Sequence, residues 1–425
     1  MSLGFYIIMA AQFFSSLADN ALLIAAIAML MEASAPGWLT PYLKFFFVVS
    51  YVVLAPYVGA FADRLPKGHV MFIANFIKIV GCALMLFAAH PLLAYALVGL
   101  GAAAYSPAKY GILTEYLPPT KLVVANGWME GLTVASIILG ATLGGVLVSE
   151  RVATHLLALD VPLIDTGINT PAEAAMAVII GIYAVAAIFN LYVPRTGVRL
   201  RHLHPHPLQT LTDFYLCTVR LWKDKLGQIS LAVTSLFWGV GAALQFIVIV
   251  WAKAALALDL SGAAILQGVV ALGIALGAVA ASVYVPLHRS VRVIPVGIAM
   301  GLMVIAMVIT RQLWVAVPLL IVIGVLAGYF VVPMNALLQH RGHNLMGAGR
   351  SIAVQNFNEN VSVLVMIALY SLLLESGMSI YAVIVAFGLF VAGSMALVQR
   401  WYLRNLRRHP AEIEALLKIA RAEHT

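Results

Sequence analysis

The long apolar blocks of this chain constrain its fold more than any other feature. Between Phe5 and Met31 the only charged side chain is Asp19, and blocks of similar character recur as far as Tyr402. About 20 apolar residues in a helix cross the hydrocarbon of a bilayer. Inside that hydrocarbon each backbone N–H and C=O must find its partner within the chain. The sequence therefore reads as an all-α, polytopic membrane protein. Composition agrees: 63% of the 425 residues are hydrophobic and 10% are charged, against roughly 25% charged in soluble domains.

Hydropathy marks about twelve spans, at 5–31, 42–62, 69–89, 91–113, 122–148, 173–193, 226–252, 262–286, 292–310, 312–338, 347–374 and 378–402. Loops after the even-numbered spans carry most of the cations: Arg64 and Lys67, Lys121, Arg195 to Lys225, Arg289 and Arg292, Arg341 and Arg350, and the tail from Arg400 to Arg408. Their counterparts hold little beyond Lys44, Arg151, Lys253 and Arg311. By the positive-inside rule both termini are cytoplasmic. The net charge of +8 is thus a topology signal, and nucleic acid is not an expected partner. Cys82 and Cys217 show neither a ligand spacing nor a disulfide framework. The first block is too long for the apolar region of a signal peptide and reads as a span.

The polar insert at about 194–225 divides the chain into a first six-helix bundle (1–194), a cytoplasmic linker (195–225), a second bundle (226–403) and a tail (404–425). The halves echo one another. "ANGWMEG" (Ala125–Gly131) and "VQNFNEN" (Val354–Asn360) fall at matching places in spans five and eleven. "SPAKYGIL" and "VVPMNALL" do so in spans four and ten. Parallel repeats of six spans are a transporter architecture, with a site near the midplane between them. No G-x-x-x-x-G-K-[ST] phosphate loop is present, so neither nucleotide nor any other cofactor is expected.

Between spans two and three stands "GAFADRLPKGH" (Gly59–His69). Asp63 is suited to anchor the next helix, with Arg64 and Lys67 pointing to the cytoplasm. This stretch resembles the G-x-x-x-D-[RK]-x-x-x-x-[RK] loop of the major facilitator superfamily, with Pro66 and Gly68 shifted from the commonest form.

Ionisable groups within spans are expensive and mark function by default. Asp19 lies about 21 Å along span one at 1.5 Å per residue, with Asn20 beside it. It calls for a basic partner, water or a substrate ammonium. Lys78 in span three and Lys109 in span four are the candidate cations. Lys109 either snorkels to the interface or offers its ammonium to a cavity and a phosphate, and Pro107 just before it frees a backbone carbonyl. Asn126 and Glu130 share one helix face in span five, as Gln355 and Glu359 do in span eleven. Amides there either bind a headgroup or bond helices together. Two patterns carry little. His155 and Asp160 form H-x4-D, the acyltransferase spacing, but in a loop without a soluble domain. His202, His204 and His206 alternate in a proline-broken loop and read as solvated rather than as a metal site.

Several stretches together resemble the lysophospholipid transporter family within the major facilitator superfamily: "AQFFSSLADNALL", "LAPYVGAFAD", "VGLGAAAYSPAKYGIL", "KLVVANGWMEG", "TSLFWG", "GYFVVPMNALLQHRG" and "MGAGRSIAVQNFNEN". The resemblance implies flipping of lysophosphatidylethanolamine and lysophosphatidylglycerol across a bacterial inner membrane, toward a cytoplasmic-side acyltransferase that reacylates them. It implies no enzymatic activity and no catalytic residue. Asp19 would meet the ammonium and Lys109 the phosphate. Relatives tend to carry arginine in span seven where this chain has Gln245, which leaves Lys78 or Lys109 as partner for Asp19. The expectation is a monomeric transporter working by alternating access. The competing readings are a proton-coupled drug or metabolite exporter of the same superfamily and, more remotely, a membrane lipid acyltransferase.

Overall fold

A computed structural model describes residues 2–34, 40–87, 90–157, 168–200, 206–258 and 260–421. All regular structure among the described residues is helical, without a strand. In chain order the helices are α1 (Leu3–Glu32), α2 (Thr40–Val53), α3 (Ala55–Arg64), α4 (Lys67–Leu86), α5 (Pro91–Tyr116), α6 (Leu122–Leu147), α7 (Glu150–Leu157) and α8 (Pro171–Leu191). They continue with α9 (Pro207–Lys223), α10 (Gly227–Leu256), α11 (Leu260–Tyr284), α12 (Ile294–Ile305), α13 (Leu313–Met346), α14 (Ala348–Glu375), α15 (Ile380–Arg408) and α16 (Pro410–Ile419). Eleven segments among the described residues are long and apolar enough to cross a membrane, or twelve with α2 and α3 taken as one broken span. The protein is a multi-pass membrane protein, as the hydropathy pattern requires.

Local chemistry explains where the helices depart from simple rods. Span two is bent by 66° between α2 and α3. Pro56 enters at the start of α3, and its ring excludes the hydrogen bond that would continue α2. Pro107 and Pro333, by contrast, lie inside unbroken helices. Glu173 and Thr170 form a capping box that starts α8. Helix α13 runs on to Met346, eight residues beyond the apolar segment that ends at Leu338. Its 34 residues span about 50 Å, well over the hydrocarbon thickness, so its polar end "QHRGHNLM" projects beyond the bilayer core.

Chain packing forms two compact units, one of residues 1–112 and 135–211, the other of residues 113–134 and 212–425. In the first, α1 and α4 both pack on α8. Their shared core includes Ala18, Leu22, Cys82, Met85, Val98, Met176 and Tyr183. In the second, α11 pairs with α13, α12 with α15, and α10 with α14. The α11–α13 contact is glycine-lined: a methyl group added at Gly273, Gly277, Gly324 or Gly328 would strike the facing backbone. Lipid tails are as apolar as the helices, so close backbone approach at small residues supplies much of the association energy.

Candidate functional site

The charged cluster of the first unit is built from α1, α4, α5 and α8. Ser15 and Asp19 lie one turn apart on α1, and Asn75 and Lys78 lie i, i+3 on α4, which brings each pair to one helix face. Lys78 Nζ donates to Asp19 Oδ1 at 2.8 Å, to Asp19 Oδ2 at 2.9 Å and to Ser15 Oγ at 3.1 Å. Ser15 in turn donates to Asn75 Oδ1 at 2.8 Å. Tyr183 donates its hydroxyl to Asp19 Oδ1 at 2.6 Å. Two rings complete the cage: Lys78 Nζ sits 4.9 Å from the Tyr105 centroid and 5.4 Å from that of Tyr183, within cation–π range.

The two charges are not equally accessible. The Lys78 side chain is 1% exposed and that of Asp19 is 23% exposed. An ammonium has three donors, and Lys78 spends all of them on Ser15 and Asp19. Asp19 keeps accepting capacity and an open edge. The cluster is therefore neutral as a whole, and it presents a carboxylate to an incoming cation.

Span four explains why Lys78 can be there. A methyl group added at Gly101 would lie 2.8 Å from Lys78 Cγ and 2.8 Å from the Ala74 carbonyl, so glycine leaves room for the lysine stem. Gly101, Tyr105 and Lys109 follow at four-residue spacing on α5, which turns the face by only about 40° per step. Lys109 thus continues the line of residues that abuts Lys78. It is half-buried, with Nζ 4.8 Å from the centroid of Tyr110. Asn20 is half-buried, donates to Ser16 O at 2.8 Å and lies over Gly140 of α6.

The second unit holds an uncharged counterpart and two buried acids, Glu130 and Glu359. Asn126 and Gln339 exchange two amide hydrogen bonds, each 3.0 Å, and Asn126 also donates to Leu122 O at 3.0 Å. Gln355 donates to Asn335 Oδ1 at 3.1 Å and to Glu359 Oε1 at 2.8 Å. Glu130 is buried one turn beyond Asn126. No Lys or Arg pairs with Glu359 among the described residues. Gln245 is exposed on α10, and its backbone carbonyl accepts from Gln267 Nε2 at 3.1 Å.

Around the loops, Asp63 pairs with Lys67 at 3.1 Å, both buried, and Lys67 also donates to Ala62 O at 2.7 Å. Lys67 therefore turns inward, where the loop motif alone had it pointing outward, while Arg64 is exposed. Pro107 stays within α5 between Tyr105 and Lys109. His155 spends Nδ1 on the Arg151 carbonyl at 2.7 Å. Asp160, His202 and His204 lie outside the described residues, and His206 is exposed.

Sequence reasoning singled out Asp19 and Lys78 but missed Ser15, Asn75, Tyr105 and Tyr183, which complete their cage. It also missed Gln339 and Asn335. For the cage, the signal lay in spacing: Ser15 to Asp19, Asn75 to Lys78 and Gly101 to Tyr105 each repeat at three or four residues.

The sequence profile of the Major Facilitator Superfamily matches residues 8–365. The chain is 42% identical over 377 residues to the lysophospholipid transporter LplT of Yersinia pestis (strain Pestoides F), covering 88% of each protein. The same figures hold for the LplT of Yersinia pseudotuberculosis serotype O:3 (strain YPIII). Among solved structures, the fold is similar to the transporter FucP in its outward conformation, with a TM-score of 0.72 at 12% identity over 94% of this chain and 98% of that one. It is also similar to a bacterial homologue of the iron transporter ferroportin, with a TM-score of 0.67 at 14% identity over 95% and 99% of the two chains.

Proposed function

Because the chain belongs to the lysophospholipid transporter family of the major facilitator superfamily, we propose that it flips lysophosphatidylethanolamine and lysophosphatidylglycerol from the outer to the inner leaflet of a bacterial inner membrane. It is a transporter and not an enzyme. A monomer with both termini in the cytoplasm works by alternating access of two six-helix halves, residues 1–194 and 226–403. On the cytoplasmic side the product passes to an acyltransferase that restores the second chain.

The observation that carries the reading is the Asp19–Lys78 cage. An ion pair inside the membrane is tolerable because it is neutral and its donors are satisfied. A zwitterionic headgroup is neutral too, so it can meet such a site without leaving net charge in a low dielectric. The ethanolamine ammonium meets the open edge of Asp19. The phosphate meets Lys109, which lies along the same face of α5. A glycerol headgroup has no cation and offers hydroxyl donors to the same carboxylate. Asn20, Asn126, Glu130, Gln245, Gln355 and Glu359 are assigned to the substrate path, and Asp63, Arg64 and Pro107 to its conformational control. The acyl chain follows the apolar helix walls, where it needs no polar partner.

Uptake of labelled lysolipid into spheroplasts lacking the endogenous transporter tests this. Wild type should take up both lysolipids. Asp19→Asn should lower lysophosphatidylethanolamine uptake at least about tenfold, the loss of one charge-assisted contact, and lysophosphatidylglycerol uptake less. Lys109→Ala should lower both. No uptake by well-expressed wild type sinks the function. Normal uptake by both variants sinks the site.

A further inference from the structure

Helix α9 lies in the segment that the sequence marks as a linker, and its inner face is firmly docked on α10, α13 and α14. Asp213 pairs with Arg350 at 2.6 Å and Asp224 with Arg341 at 2.6 Å. Phe214 sets its ring edge-on to Phe357 at 5.5 Å, and Trp222 donates to Asn358 Oδ1 at 3.3 Å. Cys217 and Leu221 pack with Leu231, Leu338, Met346 and Val354. These partners sit within the first three turns of α10 and α14 and the last three of α13, so α9 packs against the flanks of three spans near their ends.

The outer face of α9 is apolar as well. Leu208 is 76% and Tyr215 65% exposed, and Leu211 and Leu216 flank them. At the C-terminal end this face becomes basic, with Arg220 and Lys223 exposed. Asn405 donates to Lys225 O at 3.4 Å, which brings exposed Arg404 and Arg408 of α15 to the same corner. Both acids of the segment, Asp213 and Asp224, are already taken by arginines. What remains outward is an apolar stripe with a tyrosine, ending in a cluster of cations.

We propose that α9 is an interfacial helix: Leu208, Leu211, Tyr215 and Leu216 enter the headgroup–acyl boundary of the bilayer, and the corner of Arg220, Lys223, Lys225, Arg404 and Arg408 binds anionic phospholipid headgroups. Three arguments select lipid as the occupant. The helix abuts spans near their ends, at the depth where they leave hydrocarbon. An apolar face joined to a basic end is the composition of helices that lie in the membrane plane. The charge complements an anionic leaflet, which attracts cations held near its surface. Through Arg341 and Arg350 the bilayer then holds the turn between α13 and α14.

The experiment uses full-length protein carrying one spin label at Leu208→Cys or Tyr215→Cys, in vesicles of phosphatidylcholine alone or with one quarter phosphatidylglycerol. Cys82 and Cys217 are buried, so labelling stays at the new site. Symmetric vesicles make the result independent of which leaflet α9 faces and of which lipid is transported. Both labels should be relaxed by oxygen and shielded from an aqueous nickel chelate. Copurified phosphatidylglycerol, relative to phosphatidylcholine, should fall at least about tenfold in R220Q/K223Q/R404Q and hold in R220K/K223R/R404K. Matching melting temperatures of the two triple variants show that both are folded. Labels reached freely by the nickel chelate, as on a face waiting for a soluble protein, overturn the proposal. So does an unchanged lipid ratio in the neutralised variant.

Discussion

At the scale of single residues, the cage around Lys78 makes the two members of its ion pair unequal. Removing the charge of Asp19 leaves a 1% exposed ammonium with only neutral company: an amide oxygen, the Ser15 hydroxyl and two aromatic faces. Removing the charge of Lys78 leaves a carboxylate that still accepts from Tyr183 and retains its open edge. Breaking a buried pair by deleting one partner costs about 3–5 kcal/mol, and the exposure of Asp19 discounts the second case. Asp19→Asn should therefore destabilise by about 3 kcal/mol and Lys78→Gln by clearly less. Asp19→Asn/Lys78→Gln should recover part of the loss, since no charge is then stranded. Thermal unfolding in detergent reads all three. Equal losses in the two single variants would mean that Lys78 is solvated in the protein, and the argument for a neutral resting site would fail with it.

At the scale of helices, the glycines between α11 and α13 set how close the pair can come. Gly328→Leu puts a side chain against the backbone of Ile274 and Ala278, and over-packing of this kind costs about 1–3 kcal/mol. Gly268→Leu on the same α11 meets nothing within 4 Å and should be neutral or gain up to about 1 kcal/mol in helix propensity. Opposite signs in melting temperature are the expected outcome; a neutral Gly328→Leu would show that the contact is loose. The spans themselves were legible because a bilayer imposes length and hydropathy on every one of them. What hydropathy cannot resolve is direction around the helix axis. Asp19 and Lys78 stood out as charges in apolar text, whereas Ser15, Asn75 and Tyr183 belong to residue types that spans use freely. Helix α9 was hidden for the opposite reason. Its apolar positions are interleaved with Thr, Asp and Arg, so it reads as a polar linker until its ion pairs and ring contact fix which face is inside. The extension of α13 past Leu338 was masked in the same way, because "QHRGHNLM" is too polar to count as span.

At the scale of the whole molecule, transport requires that helices from the two proposed halves part and rejoin during each cycle. The Asn126–Gln339 pair links α6, in the first half of the sequence, to α13, in the second, through two 3.0 Å hydrogen bonds. Such amide pairs contribute about 0.6 kcal/mol within membranes, and rarely more than about 1.7. That is enough to favour one arrangement and small enough for a cycle to break. If residues 1–194 and 226–403 move against each other, this contact must open each time. Joining Asn126→Cys and Gln339→Cys with a short, reducible bis-thiosulfonate should then abolish lysolipid uptake, and reduction should restore it. Both native cysteines are first replaced by alanine, and the reagent reaches the new pair, as buried as the amides it replaces, when the contact opens. Each single cysteine variant, treated alike, controls for the loss of the amide itself and should keep most of its uptake. Full uptake with the cross-link complete would mean that α6 and α13 travel together, and the moving boundary would then have to lie elsewhere in the chain.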